Sequence, residues 1–336
     1  SEVLLFDADN DKDLDLYLAS GGVELSRYSE QLFDRLFLND GNGNFSDSNQ
    51  KLPDSENNIS TGALASADID NDGDLDLFVG ERIKIGQYGM PGSGFILIND
   101  GKGNYSNETN SRAPELNNIG MITDASFVDL DSDNDKDLII IGEYMGVHIF
   151  QNSKGNFIPL SNSLEKEKGW WNTIHPEDLN NDGKIDLIIG NHGLNSRFKA
   201  TNKNPIRLFF NDFDRNGFGE GIISFKSEDG KYYPYALRHD LIDQIKSLKK
   251  KFPNYESFKE ADISKIFTEI EMKGVQIFDA NNLETTIYIN KGNFEFEKIP
   301  IPQEVQFSPI YAINTSDFDG DGDIDIVMGG NLYNVK

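Results

Sequence analysis

The sequence has no cysteine and only four histidines among its 336 residues. Without cysteine, disulfides, thiol nucleophiles and thiolate metal sites are excluded. Basic residues are also scarce, since 31 Lys and Arg stand against 57 Asp and Glu, and the net charge is −26. Nucleic acid and anionic lipid are bound by basic patches, so we expect a chain this acidic to bind neither. No apolar run reaches the length of a membrane span, and we predict no transmembrane segment.

Aspartate, in contrast, is abundant and follows a repeated pattern. Five nine-residue runs, here called the aspartate loops, place Asp or Asn at positions 1, 3, 5 and 9; they occupy residues 7–15, 68–76, 129–137, 178–186 and 317–325. A hard cation such as Ca²⁺ needs six to eight oxygen ligands in a tight turn. Carboxylates this dense repel one another in an empty loop, so we predict about five bound Ca²⁺ ions. Acidic, solvated turns without metal are the alternative.

Position 6 of each loop lies in the tight turn. Three of the five loops have Gly there, and Gly adopts positive φ freely. Asn134 is the next most tolerant residue, whereas Lys12 is the one poor fit.

A second motif alternates with the aspartate loops and indicates β-hairpins. Asn-Asp-Gly or Lys-Gly-Asn turns lie between apolar β-formers at residues 36–45, 96–105, 149–157 and 287–294. Each unit then has four strands, which is typical of a blade of a β-propeller. The sequence therefore predicts an all-β fold of four-stranded blades with Ca²⁺-binding Asp-x-Asp-x-Asp-Gly-x-x-Asp loops. A solenoid and a parallel β-helix are the weaker alternatives.

The stretch after the fourth aspartate loop departs from the pattern. The loops begin 61, 61, 49 and 139 residues apart, and we interpret the last spacing as two units of about 70 residues. Residues 207–217 stand where the hairpin of the fourth blade is expected. The same stretch has the spacing of a sixth loop, so a plain turn and a sixth metal site both remain open; its residues are Asp212, Asp214, Asn216, Phe218 and Glu220.

A helical insertion is predicted near residues 236–272. Apolar residues there follow helical spacing on both sides of Pro253; they are Leu241, Ile242, Ile245, Leu248, Phe252, Phe258, Ile263, Ile266 and Phe267. The insertion also holds the only basic cluster visible in the sequence, Lys246, Lys249, Lys250 and Lys251. We interpret this cluster as a solvated helix face, with a partner or ligand contact as the alternative.

We assign residues 1–336 to a single propeller with five roughly complete blades and the start of another. The chain begins inside a first strand and stops just after the strand that follows the last loop. No leader precedes Ser1, which indicates a mature product or an excised fragment. We expect a part of a longer protein whose propeller is seven-bladed when complete.

The aspartate loops resemble the FG-GAP and VCBS repeats of integrin-α-type propellers. Further segments resemble the bacterial VCBS-repeat proteins related to the ASPIC/UnbV and cartilage-acidic-protein group, and the resemblance covers nearly the whole chain. These segments include Asn118-Ile-Gly-Met-Ile-Thr-Asp124, Gly142-Glu-Tyr-Met, Gly169-Trp-Trp-Asn, Gly190-Asn-His-Gly-Leu-Asn195 and Arg238-His-Asp-Leu-Ile-Asp-Gln. Such proteins are typically exported, which implies a location outside the cell or at the bacterial outer-membrane surface.

The resemblance also implies which atoms bind Ca²⁺. Side-chain ligands at positions 1, 3, 5 and 9 are Asp7, Asp9, Asp11, Asp15, Asp68, Asp70, Asp72, Asp76, Asp129, Asp131, Asp133, Asp137, Asp178, Asn180, Asp182, Asp186, Asp317, Asp319, Asp321 and Asp325. Backbone carbonyls at position 7 are those of Asp13, Asp74, Asp135, Lys184 and Asp323. Lys184 supports the carbonyl assignment, because its side chain cannot bind a cation.

Two functions are weighed. The first is a noncatalytic, Ca²⁺-stabilised binding or scaffold module at the cell surface, which recognises protein or glycan and, by family context alone, accompanies an outer-membrane transporter. Its candidate contact surfaces are the helical insertion and the loop at residues 83–94. The second is a lyase-like enzyme acting on polysaccharide, with His175 and His192 beside Trp170 and Trp171 as a candidate site. Core-packing aromatics and turn histidines are the alternative explanation of those four residues.

Overall fold

A computed structural model describes residues 2–22, 26, 28–53 and 58–331. The described residues are 39% strand and 12% helix, and most strands form four-stranded antiparallel sheets, so the all-β prediction is confirmed. Among the described residues, no helix has both the length and the apolar character needed to cross a membrane.

The first three sheets are meanders, in which strands adjacent in the chain are also adjacent in the sheet. The first contains β1 (Val3–Phe6), β2 (Asp15–Leu18), β3 (Arg35–Asn39) and β4 (Phe45–Asp47). The second contains β5 (Ser60–Ala67), β6 (Asp76–Ile83), β7 (Gly94–Asn99) and β8 (Tyr105–Asn107), and helix α1 (Thr109–Arg112) follows it. The third contains β9 (Met121–Val128), β10 (Asp137–Met145), β11 (His148–Ser153) and β12 (Asn156–Leu160), and β13 (Gly169–Trp170) pairs with the end of β10.

The fourth sheet is interrupted in the middle of its meander. Its strands are β14 (Thr173–Glu177), β15 (Asp186–Gly190), β20 (Thr286–Asn290) and β21 (Phe296–Ile299). Because β15 pairs directly with β20, residues 191–285 form an insertion between its second and third strands. The start of a fifth sheet follows, with β22 (Ala312–Ser316) and β23 (Asp325–Gly329).

The sheets pack face to face in chain order, as in a propeller. Their first strands are neighbours, with β1 beside β5, β5 beside β9, β9 beside β14 and β14 beside β22. A separate apolar core lies between each pair of successive sheets. Every aspartate loop connects a first strand to a second strand, and its position 9 residue begins the second strand. All the loops therefore lie at the same end of their sheets.

The insertion has a sheet and four helices of its own. The sheet contains β16 (Ile206–Asn211), β17 (Glu220–Lys226), β18 (Tyr232–Pro234) and β19 (Gln276–Ala280). The helices are α2 (Arg238–Gln244), α3 (Leu248–Lys251), α4 (Tyr255–Phe258) and α5 (Ile263–Ile266). Short 3₁₀ turns elsewhere are Glu30–Leu32, Pro114–Leu116, Ser163–Lys166 and Gln303–Phe307.

The inserted sheet packs against other parts of the protein on both faces, since alternate side chains of a strand point to opposite faces. Phe209 and Ile222 pack against the helices, in a core with Leu241 and Ile266. Ile206 and Leu208 pack on the other side, in a core with Met121 and Tyr144 of the third sheet. The predicted helical insertion at 236–272 is thus one part of a longer module that docks on the propeller-like body.

Two predictions about the repeat count are wrong. The hairpin of the fourth sheet is the one at residues 287–294, between β20 and β21, and not residues 207–217. The 139-residue spacing is therefore one unit with an insertion rather than two units. Instead of five roughly complete blades and the start of another, the described residues form four units, the start of a fifth and the inserted sheet. Strand pairing across 95 residues leaves no local signal in the sequence.

Candidate functional site

The aspartate loops share one backbone conformation. Position 6 has positive φ throughout, at Lys12, Gly73, Asn134, Gly183 and Gly322. Position 4 does as well, at Asn10, Asn71, Ser132, Asn181 and Gly320. The predicted tight turn is present, and Lys12, with φ of 75°, adopts a conformation that costs a side-chain-bearing residue about 1–2 kcal/mol.

Carboxylates at positions 1, 3 and 9 converge in most of the loops. In each of four predicted loops, one oxygen from each of these residues lies within 4.8 Å of the others; the groups are Asp7, Asp9 and Asp15; Asp68, Asp70 and Asp76; Asp129, Asp131 and Asp137; and Asp317, Asp319 and Asp325. The fourth loop has Asn180 at position 3, so it offers two carboxylates and one amide. The position 5 carboxylates are not part of these groups, and they stay predicted ligands.

Several oxygens in the loops are buried without a protein partner. Oδ1 of Asp9, of Asp70 and of Asp131, all at position 3, has no hydrogen-bond partner among the described residues, and Oδ1 of Asp7 is in the same state. A buried acceptor without a partner costs about 1–3 kcal/mol, and more when it is charged. A hard cation would satisfy these oxygens, so the residues fit the Ca²⁺ that the sequence predicts.

Burial also disfavours the ionised form of several of these carboxylates. It raises the pKa of Asp76 and of Asp137 to about 6, and the neighbouring aspartates act in the same direction. A bound divalent cation would oppose both causes, because it favours the ionised carboxylate.

In the first four units, the position 9 aspartate links the loop to the hairpin of its own sheet. In the second unit, Asp76 is fully buried, its Oδ2 accepts from the backbone N–H of Ile69, and its Oδ1 accepts from the N–H of Asn99 at 2.8 Å. The first, third and fourth units repeat this with Asp15 and Asn39, Asp137 and Asn152, and Asp186 and Asn290. The two sequence motifs therefore form one hydrogen-bonded structure.

The hairpin asparagine also connects successive units. Asn152 donates through Nδ2 to the carbonyl of Ile69, in the loop of the preceding unit, at 2.8 Å. Asn290 does the same to Leu130, and Asn99 to Ala8. The sequence pattern indicates only that these asparagines are turn residues. Their recurrence at the same place in each repeat was the available signal, but their partners lie in another unit.

The sixth loop has the geometry of the other five. It connects β16 to β17 in the inserted sheet, and oxygens of Asp212, Asp214 and Glu220 lie within 4.8 Å of one another. The N–H of Phe213 donates to Glu220 as the N–H of Ile69 does to Asp76. Burial raises the pKa of Glu220 to about 7.

The four residues of the candidate sugar site lie in different surroundings. Trp171 is fully buried and donates through Nε1 to the carbonyl of Met145. Trp170 meets His192 edge to face at 5.1 Å and also packs against Phe198, so its ring is part of an internal aromatic cluster. His175 hydrogen-bonds Thr315 instead, and no bond or ring contact among the described residues joins it to His192.

The loop at residues 83–94 faces the insertion. Tyr88 donates its hydroxyl to Glu143, and the side-chain oxygen of Gln87 accepts from the N–H of Gly219 in the inserted module. Beside this loop, at the ends of the strands remote from the aspartate loops, lies a cavity of about 470 Å³ whose lining includes Arg82 and Tyr311.

The lysine cluster of the insertion is not the only basic group. Lys246 pairs with Asp243 on an exposed helix end, and Lys251 donates to the carbonyl of Ile266. A second group is assembled by the fold from Arg197, Lys199 and Lys226, around a cavity of about 410 Å³. Sequence reasoning missed this group, because Lys226 is far from the other two along the chain.

Comparison with known proteins agrees with the repeat pattern. Residues 7–79 and 129–189 match the family model described as FG-GAP-like repeat. The chain contains FG-GAP-like repeats. These two ranges contain the first four aspartate loops. A search of curated proteins found no match.

Proposed function

We propose that this FG-GAP repeat chain is a noncatalytic binding or scaffold module stabilised by Ca²⁺ at five loops and at the sixth loop of the insertion. One observation carries the proposal: carboxylates at positions 1, 3 and 9 converge within 4.8 Å, and several of their oxygens are buried without a partner among the described residues. The proposed ligands are the side chains at positions 1, 3, 5 and 9 and the carbonyl at position 7.

The cation would act on the structure rather than on a substrate. Binding at positions 1 and 3 would hold the loop against the position 9 aspartate, which is bonded to the hairpin asparagine and, through it, to the preceding unit. With Ca²⁺ at about 1 mM and a Kd of about 0.1 mM, each site would contribute roughly 1.4 kcal/mol to the free energy of unfolding. Sites with this Kd would be occupied only where Ca²⁺ is abundant. We therefore propose an exported protein at the cell surface or the bacterial outer-membrane surface.

The partner would be a protein or glycan. The cavity of about 470 Å³ offers a surface away from the five aspartate loops, which supports a separation between those metal sites and the contact surface. An association with an outer-membrane transporter rests on the family resemblance alone.

The test is a metal analysis of protein purified without chelator, combined with thermal melts in Ca²⁺ and in EDTA. We expect about five or six Ca²⁺ ions per chain and a melting temperature that falls sharply in EDTA. A protein without bound Ca²⁺, whose melt is the same in both buffers, would refute the structural role of the metal.

A further inference from the structure

The cavity of about 410 Å³ on the inserted module has an unusual charge for this protein. The chain carries −26 overall, yet the lining includes Arg197, Lys199 and Lys226, and none of the described residues that line it is acidic. We call this cavity the basic cleft. It is formed by β17, by the end of β18 and by the segment that precedes β16.

The three cations are not neutralised by the protein. In the described part of the chain, none of them forms an ion pair with a carboxylate. Lys199 donates through Nζ to the carbonyl of Leu194 at 2.6 Å, which keeps one of its donors occupied and positions the ammonium group. Positive charge is thus concentrated at one place on a negative surface, where it raises the local concentration of an anionic ligand.

Aromatic rings form the apolar part of the cleft. Phe225 and Tyr235 both line it, and their ring centroids are 5.0 Å apart. Phe225 is 37% exposed, so part of its ring is accessible to a ligand. The guanidinium of Arg197 lies 5.7 Å from the centre of the Tyr235 ring and 5.0 Å from that of Phe198.

The Tyr235 ring is packed against further aromatic rings, which restrict its motion. Tyr235 packs against Phe198 at 4.7 Å, and Phe198 packs against Trp170 of the propeller-like body. A rigid aromatic surface contributes contact area at little entropic cost when a ligand binds. Asn204 also lines the cleft and adds an amide that can bond to hydroxyl groups.

We propose that the basic cleft binds an acidic saccharide. Its carboxylate or sulfate would meet Arg197, Lys199 and Lys226, and the apolar face of a sugar ring would lie on Phe225 and Tyr235. The rest of the chain is strongly negative and would repel a long polyanion such as nucleic acid. We therefore expect the cleft to bind a short acidic saccharide or the end of a glycan chain. This inference rests on the proposed binding function and names its ligand class.

The experiment is titration calorimetry on the full chain in saturating Ca²⁺ at one ionic strength. The probes are a uronate tetrasaccharide, a sulfated tetrasaccharide, a neutral tetrasaccharide and a short oligothymidine. We expect at least one acidic saccharide to bind at least tenfold more tightly than the neutral saccharide and the oligothymidine. Absence of binding by both acidic saccharides would overturn the proposal, and equal or tighter binding of oligothymidine would overturn the saccharide assignment.

Matched charge variants locate the site. Arg197→Gln with Lys226→Gln should weaken the acidic saccharide at least tenfold. Lys246→Gln with Lys249→Gln changes the net charge equally, but Lys246 lies in the turn before α3, Lys249 lies on α3 and neither lines the cleft, so this variant should weaken binding less than twofold. Equal losses in the two double variants would overturn the assignment to the cleft.

Two further measurements separate the possible failures. Phe225→Ala should weaken the acidic saccharide several-fold, and an unchanged affinity would remove the aromatic part of the proposal. Thermal melts of each variant in Ca²⁺ and EDTA report folding and the metal independently. Ca²⁺ stabilisation without saccharide binding would count against the cleft alone, whereas saccharide binding without Ca²⁺ stabilisation would count against the proposed metal function alone.

Discussion

Asn99 donates a hydrogen bond through Nδ2 to the carbonyl oxygen of Ala8 at 2.8 Å, although 91 positions separate the two residues. The same amide group donates to the carbonyl of Leu75 in its own unit at 3.1 Å. One buried side chain therefore connects the hairpin of the second sheet to two successive aspartate loops. This contact repeats at Asn152 and Asn290, so it is a property of the repeat.

We predict that Asn99→Ala lowers the free energy of unfolding by about 3 kcal/mol, because it removes the side-chain donor to the buried carbonyl of Ala8 and the side-chain acceptor of the Gly101 N–H, whereas the Leu75 carbonyl keeps the Tyr105 hydroxyl. Asn104→Ala is the control, since Asn104 lies in the same hairpin but is exposed and bonds only to Asp100. Its expected cost is about 0.5 kcal/mol. Chemical denaturation of both variants in saturating Ca²⁺ measures the difference, and similar losses would contradict the linking role of Asn99.

We predict that Lys12→Gly stabilises the protein by about 0.5–1 kcal/mol. Lys12 has φ of 75° where Gly183, at the same position of another loop, has φ of 82°. Glycine avoids the steric cost of this conformation, and that gain exceeds its larger loss of backbone entropy. The reciprocal change, Gly183→Lys, should destabilise by a similar amount. Urea denaturation would contradict the strain argument if both changes had the same sign.

We predict that Asp70→Asn reduces the rise in melting temperature on addition of Ca²⁺ more than Asp74→Asn does. Asp70, at position 3, belongs to the converging group, whereas Asp74, at position 7, is assigned only a carbonyl ligand. The Asp74 carboxylate instead faces the hairpin turn, where its Oδ2 lies 2.7 Å from the position that a Cβ at Gly101 would take. Calorimetric melts across a Ca²⁺ titration provide the comparison, and equal reductions would show that the ligand assignment is wrong.

We predict that Asp34→Asn changes the pH dependence of stability. Asp34 is 1% exposed, and burial raises its pKa from 3.8 to about 6, against the hydrogen bonds that it accepts from Ser20, Thr61 and Tyr17. Because the pKa of this carboxyl is higher in the folded state, its protonated form contributes to the free energy of unfolding in full below about pH 4. This contribution is lost as the pH rises to about 6. The loss is on the order of 2–3 kcal/mol.

The asparagine variant cannot ionise, so it should not show this loss. The free energy of unfolding of Asp34→Asn minus that of the wild type should therefore increase between pH 4 and pH 6 and stay level above. Urea denaturation of both proteins in EDTA at several pH values measures this difference. A difference that stays constant over the range would contradict the raised pKa.

The sequence by itself determined the repeat unit. The positions of the loops, the four hairpins and the strands after each loop are set by residues that are close together in the chain, and such local preferences act without tertiary contacts. The positive φ at position 6, including the poor fit of Lys12, follows from the same local geometry. The apolar spacing around Pro253 likewise predicts the helices of the insertion.

Only the tertiary structure decided which strands belong to one unit and which surfaces the insertion covers. The pairing of β15 with β20 closes across residues 191–285, and loop closure over that length depends on packing energy that no local pattern records. The same packing covers Tyr88 and the loop that contains it, and it brings Lys226 next to Arg197 to form the basic cleft. The charge of the chain predicts a negative surface, but the place where that surface becomes positive depends on which distant residues the fold brings together.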